Sequence, residues 1–496
     1  MPASPKIPTL SVPLDEARAP FVLGVDVGST ASRGGLYSAC GRPIKGSKQR
    51  IAHEFTTDEH GASTMDADQV VRECREVIEK IAEFAQDKSL EIAAVAMDSF
   101  ASSLVVVDEG YRPLTPLMTY ADSRSAKHVE RLRARIDEQA YQSRTGVRLH
   151  TSYHPARLAW LNEQHPDIMG KAHRVFTVGE YVYQQLAGLE GLATSSAAWA
   201  GIIDARTGEL DHEILRETGT SADVIAPIVE PDQPLYPTEA VADLAGIPWF
   251  PAIPDGWSSN VGPGATDAHT VAVAAATSGA MRVILPRCPE TIPAGLWCYR
   301  LSARQWILGG ALNDVGRAIT WLENTIAPVE AAELEEQLRA LPNENTPSSL
   351  PFFSGERATG WASSAQAAIT GITAATKPVD LWRSVIEALS LSYRRIWDEL
   401  LRSGATPRRV VASGRVTTDH PAWLVSLADA LATPIVPINM KRATLRGTAL
   451  IALDVIDPDG ERHPAPHGEA VEPREEARGF MDRALEKFGH LYQKLV

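Results

Sequence analysis

The chain is short of cysteine, of positive charge and of long apolar runs, and each shortage argues against a class of function. Its four cysteines, Cys40, Cys74, Cys288 and Cys298, form no C-x-x-C pair and have no histidine cluster beside them, which argues against a disulfide framework or a zinc site. A net charge of −14 disfavours nucleic acid or an anionic membrane as the main partner, because both need basic surface. No window reaches the ~20 apolar residues of a membrane span. The first twenty residues are rich in proline and lack the basic-then-apolar order of a secretory leader, so they are expected to form a flexible arm in a cytoplasmic protein. A Walker-type loop is missing too. Gly170-Lys171 is followed by alanine, which disfavours a P-loop kinase.

What is present is a soluble enzyme's alternation of strands and helices. At 496 residues the chain exceeds one ordinary core, and two domains are expected. Near its start, Phe21-Val22-Leu23-Gly24-Val25-Asp26-Val27 reads as a buried strand that delivers one carboxylate into a Gly28-Ser29-Thr30 turn. Gly34-Gly35-Leu36-Tyr37 follows as an antiparallel return. Such a tip suits a nucleotide: glycine admits phosphate to the backbone N–H groups, hydroxyls add donors, and the carboxylate can hold Mg²⁺ through water. An ordinary acidic hairpin is the alternative. Strands are expected at residues 90–97 and 103–107, and helices at 66–86, 125–142 and 155–164. Residues 223–254 read as proline-rich and irregular, approaching a domain boundary. The opening theme then returns, with an apolar run from Val271 through a Thr277-Ser278-Gly279 turn and on to Ile284. Two such units ~250 residues apart are too far separated for a solenoid and point to two related domains around one cleft.

Further motifs follow in order: Tyr120-Ala121-Asp122-Ser123-Arg124; His150-Thr151-Ser152-Tyr153 before Leu158-Ala159-Trp160-Leu161; Asp255-Gly256; Gly309-Gly310-Ala311-Leu312-Asn313; Gly355-Glu356-Arg357-Ala358; and Ala412-Ser413-Gly414. Together with the two hydroxyl turns they resemble the FGGY carbohydrate kinases of the actin-like ATPase superfamily, and among these the gluconokinases, from about residue 22 to 453. The resemblance implies an α/β fold of two actin-like (ribonuclease H-like) domains flanking a central cleft. Residues 21–262 would hold sugar and phosphate, and residues 263–496 the nucleotide.

The implied activity is ATP-dependent phosphorylation of a sugar or sugar-acid hydroxyl, with gluconate favoured. A ketopentose or small polyol is the alternative acceptor. A weakened, non-catalytic relative and an actin-like ATPase acting on a protein are the competing classes. Asp255 would be the general base, since phosphoryl transfer to an alcohol needs an acceptor for the hydroxyl proton. Ser102, Tyr120, Asp122, Arg124, Tyr153, Asp255 and Trp257 would surround the sugar. Gly28, Ser29, Thr30, Thr277, Ser278, Gly279, Gly309, Gly310, Asn313, Gly414 and Arg415 would bind ATP, and Asp26 would hold Mg²⁺. A small-molecule substrate is the expected partner, with a homodimer left open.

Arg33 is expected to stabilise the first hairpin, and Arg124, Arg157 and Arg282 are the cations available to a carboxylate substrate. The chain also departs from the gluconokinase pattern. Ser102 replaces a histidine, Arg157 a lysine, and Arg415 the second glycine of the adenosine motif, while Trp257 adds bulk beside Asp255. Ser102 and Trp257 point to a reshaped acceptor pocket, and Arg415 would stack on adenine or fill the adenosine pocket.

Overall fold

The structure, a computed structural model, describes residues 10–343, 346–440 and 442–496. Residues 1–9 of the expected arm lie outside the described residues. The remainder of the expected arm is docked, because Val12 is buried and donates its N–H to the Pro43 carbonyl at 2.9 Å.

Strand β1 (Phe21–Val27) pairs antiparallel with β2 (Ala31–Tyr37), which continues to β3 (Gln49–Ala52). On its other side β1 runs parallel to β4 (Ile92–Ser99), and β4 to β5 (Trp249–Pro254), in the order β5-β4-β1-β2-β3. All of β1 is buried. Leu23, Val25 and Val27 pack with Val70, Val77, Ile78 and Ile81 of helix α1 (Ala67–Asp87). Val22 packs on the other face with Ala94, Ala96 and Phe250, as strand alternation requires. Burying each such side chain contributes roughly 1.5–3 kcal/mol. That burial fixes the register that carries Asp26 to the end of the strand.

Two expectations are corrected here. The helix read over residues 125–142 is two helices, α2 (Ala126–Arg133) and α3 (Glu138–Thr145). Asp137 breaks it by accepting the N–H groups of Gln139 and Ala140 at 2.8 and 3.1 Å, the ordinary behaviour of aspartate at a helix start. The irregular stretch 223–254 ends in β5, a buried strand carrying Pro251 and Pro254. Its place at the sheet edge explains how it tolerates proline. The expected helix at 155–164 appears as α4 (His154–Gln164), and α5 (Asp255–Val261) follows β5 directly.

The second sheet repeats the plan. β6 (Thr270–Ala275) pairs antiparallel with β7 (Gly279–Leu285); β8 (Trp297–Ser302) and β9 (Gln305–Leu312) extend that side. β10 (Arg409–Ser413) and β11 (Ile435–Pro437) add in parallel on the other. Helix α6 (Pro378–Arg402) packs on this sheet, and its Tyr393 hydroxyl donates to the Ala274 carbonyl at 2.7 Å. The short α7 (Arg415–Asp419) opens just beyond β10.

Helix α8 (Ala443–Ile456) does not stay with the sheet that precedes it. Its Leu445, Ala449, Ala452 and Leu453 cover Val22, Ala94, Ala96 and Phe250 of the first sheet. It crosses α5 with almost no clearance: a Cβ on Gly447 would overlap the Ser258 carbonyl, and one on Gly262 that of Ala443. α8, late in the second half of the chain, thus packs on the sheet of the first half.

Candidate active site

Three carboxylates stand at the carboxyl ends of adjacent parallel strands, where open α/β sheets present their ligands. Asp26 on β1 and Asp98 on β4 are register partners. Asp255, first residue of α5, follows Pro254, which pairs with Ser99. Asp26 Oδ2 accepts from Arg33 Nη1 at 3.1 Å, and Arg33 Nη2 donates to Thr30 Oγ1 at 3.1 Å. Arg33 thus closes the first hairpin, as the sequence reading expects.

Asp98 is fully buried, takes the Thr448 hydroxyl of α8 on Oδ2 and leaves Oδ1 without a partner. Burial, and then the charge of Asp26, push its carboxyl well above the usual range. Burial raises Asp26 as well, against the pull of Arg33. Asp255, half-buried, is raised to about 6 by desolvation and then by Asp26, with Arg282 and the Gly256 N–H opposing. Of the three, it is a partly accessible carboxylate tuned to accept a proton near neutral pH.

Around it, Tyr120 is 41% exposed, packs edge-on to Phe55 and Phe100, touches Ser29 and is raised by burial and by the charge of Asp255. Tyr153 bonds the Tyr299 hydroxyl at 2.7 Å. Tyr299 in turn stacks on Trp199, with ring centres 3.8 Å apart, and packs against Trp297, 4.6 Å away.

Two guanidinium groups enter the same region. Arg282 on β7 donates to Ser259 Oγ at 3.3 Å, sits 5.9 Å from the Trp297 ring and is drawn by Asp255. The charge of Arg357 is felt by Tyr120, Tyr153, Tyr299 and His150, whose pKa burial and then this charge lower to about 3. The Nε atoms of both arginines are buried without a partner. Neighbouring Glu356 is engaged elsewhere, by Arg395 at 2.6 Å and Tyr492 at 2.5 Å.

At the second sheet, Ala276, Thr277 and Ser278 are exposed at the hairpin tip. The carbonyl of Thr277 accepts from Val315 and Arg317 at 3.2 and 3.1 Å. Gly279 has no room for a Cβ beside the Tyr393 hydroxyl. Ser413 pairs with Ala274, so Gly414 lies beside this tip; at φ 110° it is pressed against the backbone of Ala275, and glycine is required there.

Residues 21–262 match the model of the FGGY family of carbohydrate kinases, N-terminal domain, and residues 272–453 that of the C-terminal domain. The chain belongs to the FGGY family of carbohydrate kinases. It is an ATP-dependent phosphotransferase that acts on an alcohol group of a sugar. The gluconokinase of Bacillus subtilis (strain 168) is 24% identical over 453 residues, 87% of each chain. The glycerol kinase of Rhodospirillum centenum (strain ATCC 51521 / SW) is 23% identical over 446 residues, 87% of this chain and 89% of that one. The solved structure of ligand-bound xylulose kinase from Lactobacillus acidophilus superposes with a TM-score of 0.88 at 21% identity, covering 96% of this chain and 98% of that one. No helix among the described residues is long and apolar enough to cross a membrane.

Within this FGGY kinase several expected site residues are bonded to groups of the protein itself. Asp122 and Arg124 bond each other at 2.7 Å; Asp122 also accepts the Ser63 N–H, and Arg124 lies 4.7 Å over Trp160. They brace the loop that carries Tyr120. The Ser102 hydroxyl donates to the Trp199 carbonyl at 2.5 Å. Arg157, wholly buried, donates to the carbonyls of Ser102, Thr119 and Ser152, so neither Arg124 nor Arg157 is a free cation for a substrate.

Trp257 is buried and lines a different groove, with Val261, Ile284, Ile451 and Asp454. Two residues along a helix is about 200° of rotation, so Asp255 and Trp257 leave α5 on opposite sides. Gly309 and Gly310 lie inside β9 rather than in a turn; side chains there would strike the Met281 carbonyl and the Ala358 methyl group. Asn313 bonds the Ser354 and Gly355 carbonyls at 2.9 and 3.1 Å, bracing a loop. The Arg415 side chain is 75% exposed and pairs with Asp419 on its own helix, so it does not fill the neighbouring turn.

Proposed function

We propose that this kinase phosphorylates a hydroxyl of a sugar acid, gluconate first among them, using ATP and Mg²⁺. The observation that carries the reading is the pair Arg282 and Arg357, two half-buried arginines whose Nε atoms are buried without a partner, beside Asp255 and the Tyr153–Tyr299 aromatics. A carboxylate would meet those donors as an ion pair with hydrogen bonds, adding the opposite charge that a neutral sugar hydroxyl lacks. Likeness to a gluconokinase over 87% of the chain supports it. A ketopentose or polyol is the second reading, favoured by the neutral Tyr153–Tyr299 and tryptophan surface and by equal likeness to a glycerol kinase.

In the reaction, Asp255 takes the proton of the attacking hydroxyl. The Gly28-Ser29-Thr30 and Thr277-Ser278-Gly279 turns receive the phosphates on backbone N–H groups and hydroxyls. Among the described residues no three His, Cys, Asp or Glu side chains form a metal-holding group. Asp26, at the end of β1, would offer one carboxylate to a Mg²⁺ ion that keeps most of its waters and arrives with the nucleotide. Bound there, the ion would neutralise charge on the phosphate oxygens. Closure around the acceptor would exclude water and limit ATP hydrolysis.

The test is ADP release measured with gluconate, other aldonates, xylulose, ribulose and glycerol. The highest kcat/KM is expected for gluconate; turnover confined to uncharged acceptors would overturn the assignment. A pH profile of kcat/KM adds a check on Asp255. With its pKa near 6, the base is protonated below that value, so the rate is expected to fall about tenfold per pH unit beneath 6 and to level off above it. An acidic limb centred at pH 4 would point to an ordinary exposed carboxylate instead. For the second turn, Thr277→Val is expected to weaken ATP binding by ~1–2 kcal/mol, one hydroxyl hydrogen bond to a charged group. Calorimetry that finds unchanged affinity would leave only the backbone of that turn in contact with phosphate.

A further inference from the structure

The first hairpin turn rests on a residue that neither the motif order nor the carboxylate cluster brings forward. His53, just beyond β3, is buried and grips the turn at both ends. Its ring Nε2 lies 2.7 Å from the Gly28 carbonyl oxygen, and its backbone N–H donates to the Thr30 carbonyl at 3.1 Å. The two carbonyls on either side of Ser29 are thereby drawn to one face. The N–H groups of Ser29 and Thr30 donate to nothing among the described residues.

Behind the ring stands Glu73, a buried carboxylate on the otherwise apolar inner face of α1. Its Oε2 is 2.7 Å from His53 Nδ1 and accepts the Ser32 hydroxyl at 2.8 Å, while Oε1 accepts Gln69 Nε2 at 2.9 Å. Burial works against its charge, but the hydrogen bonds from His53, Gln69 and Ser32 outweigh that and hold Glu73 below the usual carboxylate range. A carbonyl oxygen can only accept, so Nε2 carries a hydrogen. Nδ1 faces the carboxylate, so the ring is held by both of its nitrogens between Gly28 and Glu73.

We infer that His53, backed by Glu73, is a positioning residue for ATP: it holds the Gly28-Ser29-Thr30 turn with its amides turned out toward the phosphates. This rests on the reading of that turn as a phosphate site. The pair fixes the carbonyls whose rotation would withdraw the amides from the phosphates. A buried carboxylate is costly unless its oxygens are bonded, and here both oxygens of Glu73 are.

The test compares ATP affinity by calorimetry with KM values for ATP and for the best acceptor in wild-type protein, His53→Leu, His53→Gln and Glu73→Gln. In His53→Leu the Kd for ATP is expected to rise about tenfold, with the acceptor KM within about twofold of wild type. His53→Gln, whose carboxamide N–H can still reach the Gly28 carbonyl, is expected to recover most of that loss. Glu73→Gln, which keeps its volume, is expected to weaken ATP about threefold even if the leucine variant does not fold. ATP affinity unchanged in either His53→Leu or Glu73→Gln would overturn the inference. So would equal losses for ATP and acceptor, or a glutamine variant no better than leucine. Failure of the wild-type protein to bind ATP would instead remove the phosphate-turn reading, and this inference with it.

Discussion

Asp255→Asn is expected to lower turnover by ~10²–10⁴-fold, the usual worth of a positioned general base, while ATP affinity stays within about twofold. The substitution is close to isosteric and keeps the side chain at the start of α5, so it removes the proton acceptor and little else. Its effect on the folded state should run the other way. Asp255 lies in the field of Asp26, and burial already pushes its carboxyl up to about 6. An uncharged carboxamide is relieved of that desolvation and repulsion, so the melting temperature is expected to rise. A slower, more stable enzyme with intact nucleotide binding is the signature to look for in steady-state rates, calorimetry and thermal unfolding. Near-native turnover would return Asp255 to the role of a helix-start residue that caps β5.

The second large effect is expected at Arg357. Arg357→Leu keeps much of the side chain's bulk and removes the charge. Loss of a charge-assisted contact is worth about 1.5–3 kcal/mol, so the KM for gluconate is expected to rise by ~10–10²-fold. Glycerol or xylulose, with no carboxylate to lose, should change far less. The contrast matters because the phenols of Tyr120, Tyr153 and Tyr299 all lie in the field of this guanidinium. A general disturbance of the pocket would therefore affect every acceptor alike. Equal losses across a panel of acceptors would show that Arg357 shapes the pocket without reading the acid group.

Much of this could be read from the chain. Both hairpins, β1–β2 and β6–β7, announce themselves by apolar runs broken by a small hydroxyl turn, and the order of motifs leads to the family. What escaped reading did so for physical reasons. Prolines, which only an edge position permits, hid the extent of β5, though its end before Asp255 reads as a strand. Asp98 looks like the polar end of an apolar strand until register sets it beside Asp26. Gly309 and Gly310 have the composition of a turn, but their lack of side chains serves close packing inside β9. Trp257 is near Asp255 in sequence, but its side chain leaves the helix on the opposite side, because two residues carry a helix half-way round. Arg357 and His53 are single residues whose meaning comes from partners far along the chain, such as Tyr299 and Gly28. A local pattern holds no record of such partners.

Helix α8 bears on how the protein is made. The ribosome delivers β1, β4 and β5 long before residues 443–456 emerge, yet Val22, Ala94, Ala96 and Phe250 take their cover from Leu445, Ala449 and Leu453. A nascent chain that has completed the first half therefore carries an open apolar strip through the synthesis of nearly the whole second half, the interval in which aggregation and chaperone capture occur. The cover for this strip comes from a helix that follows most of the second half in synthesis.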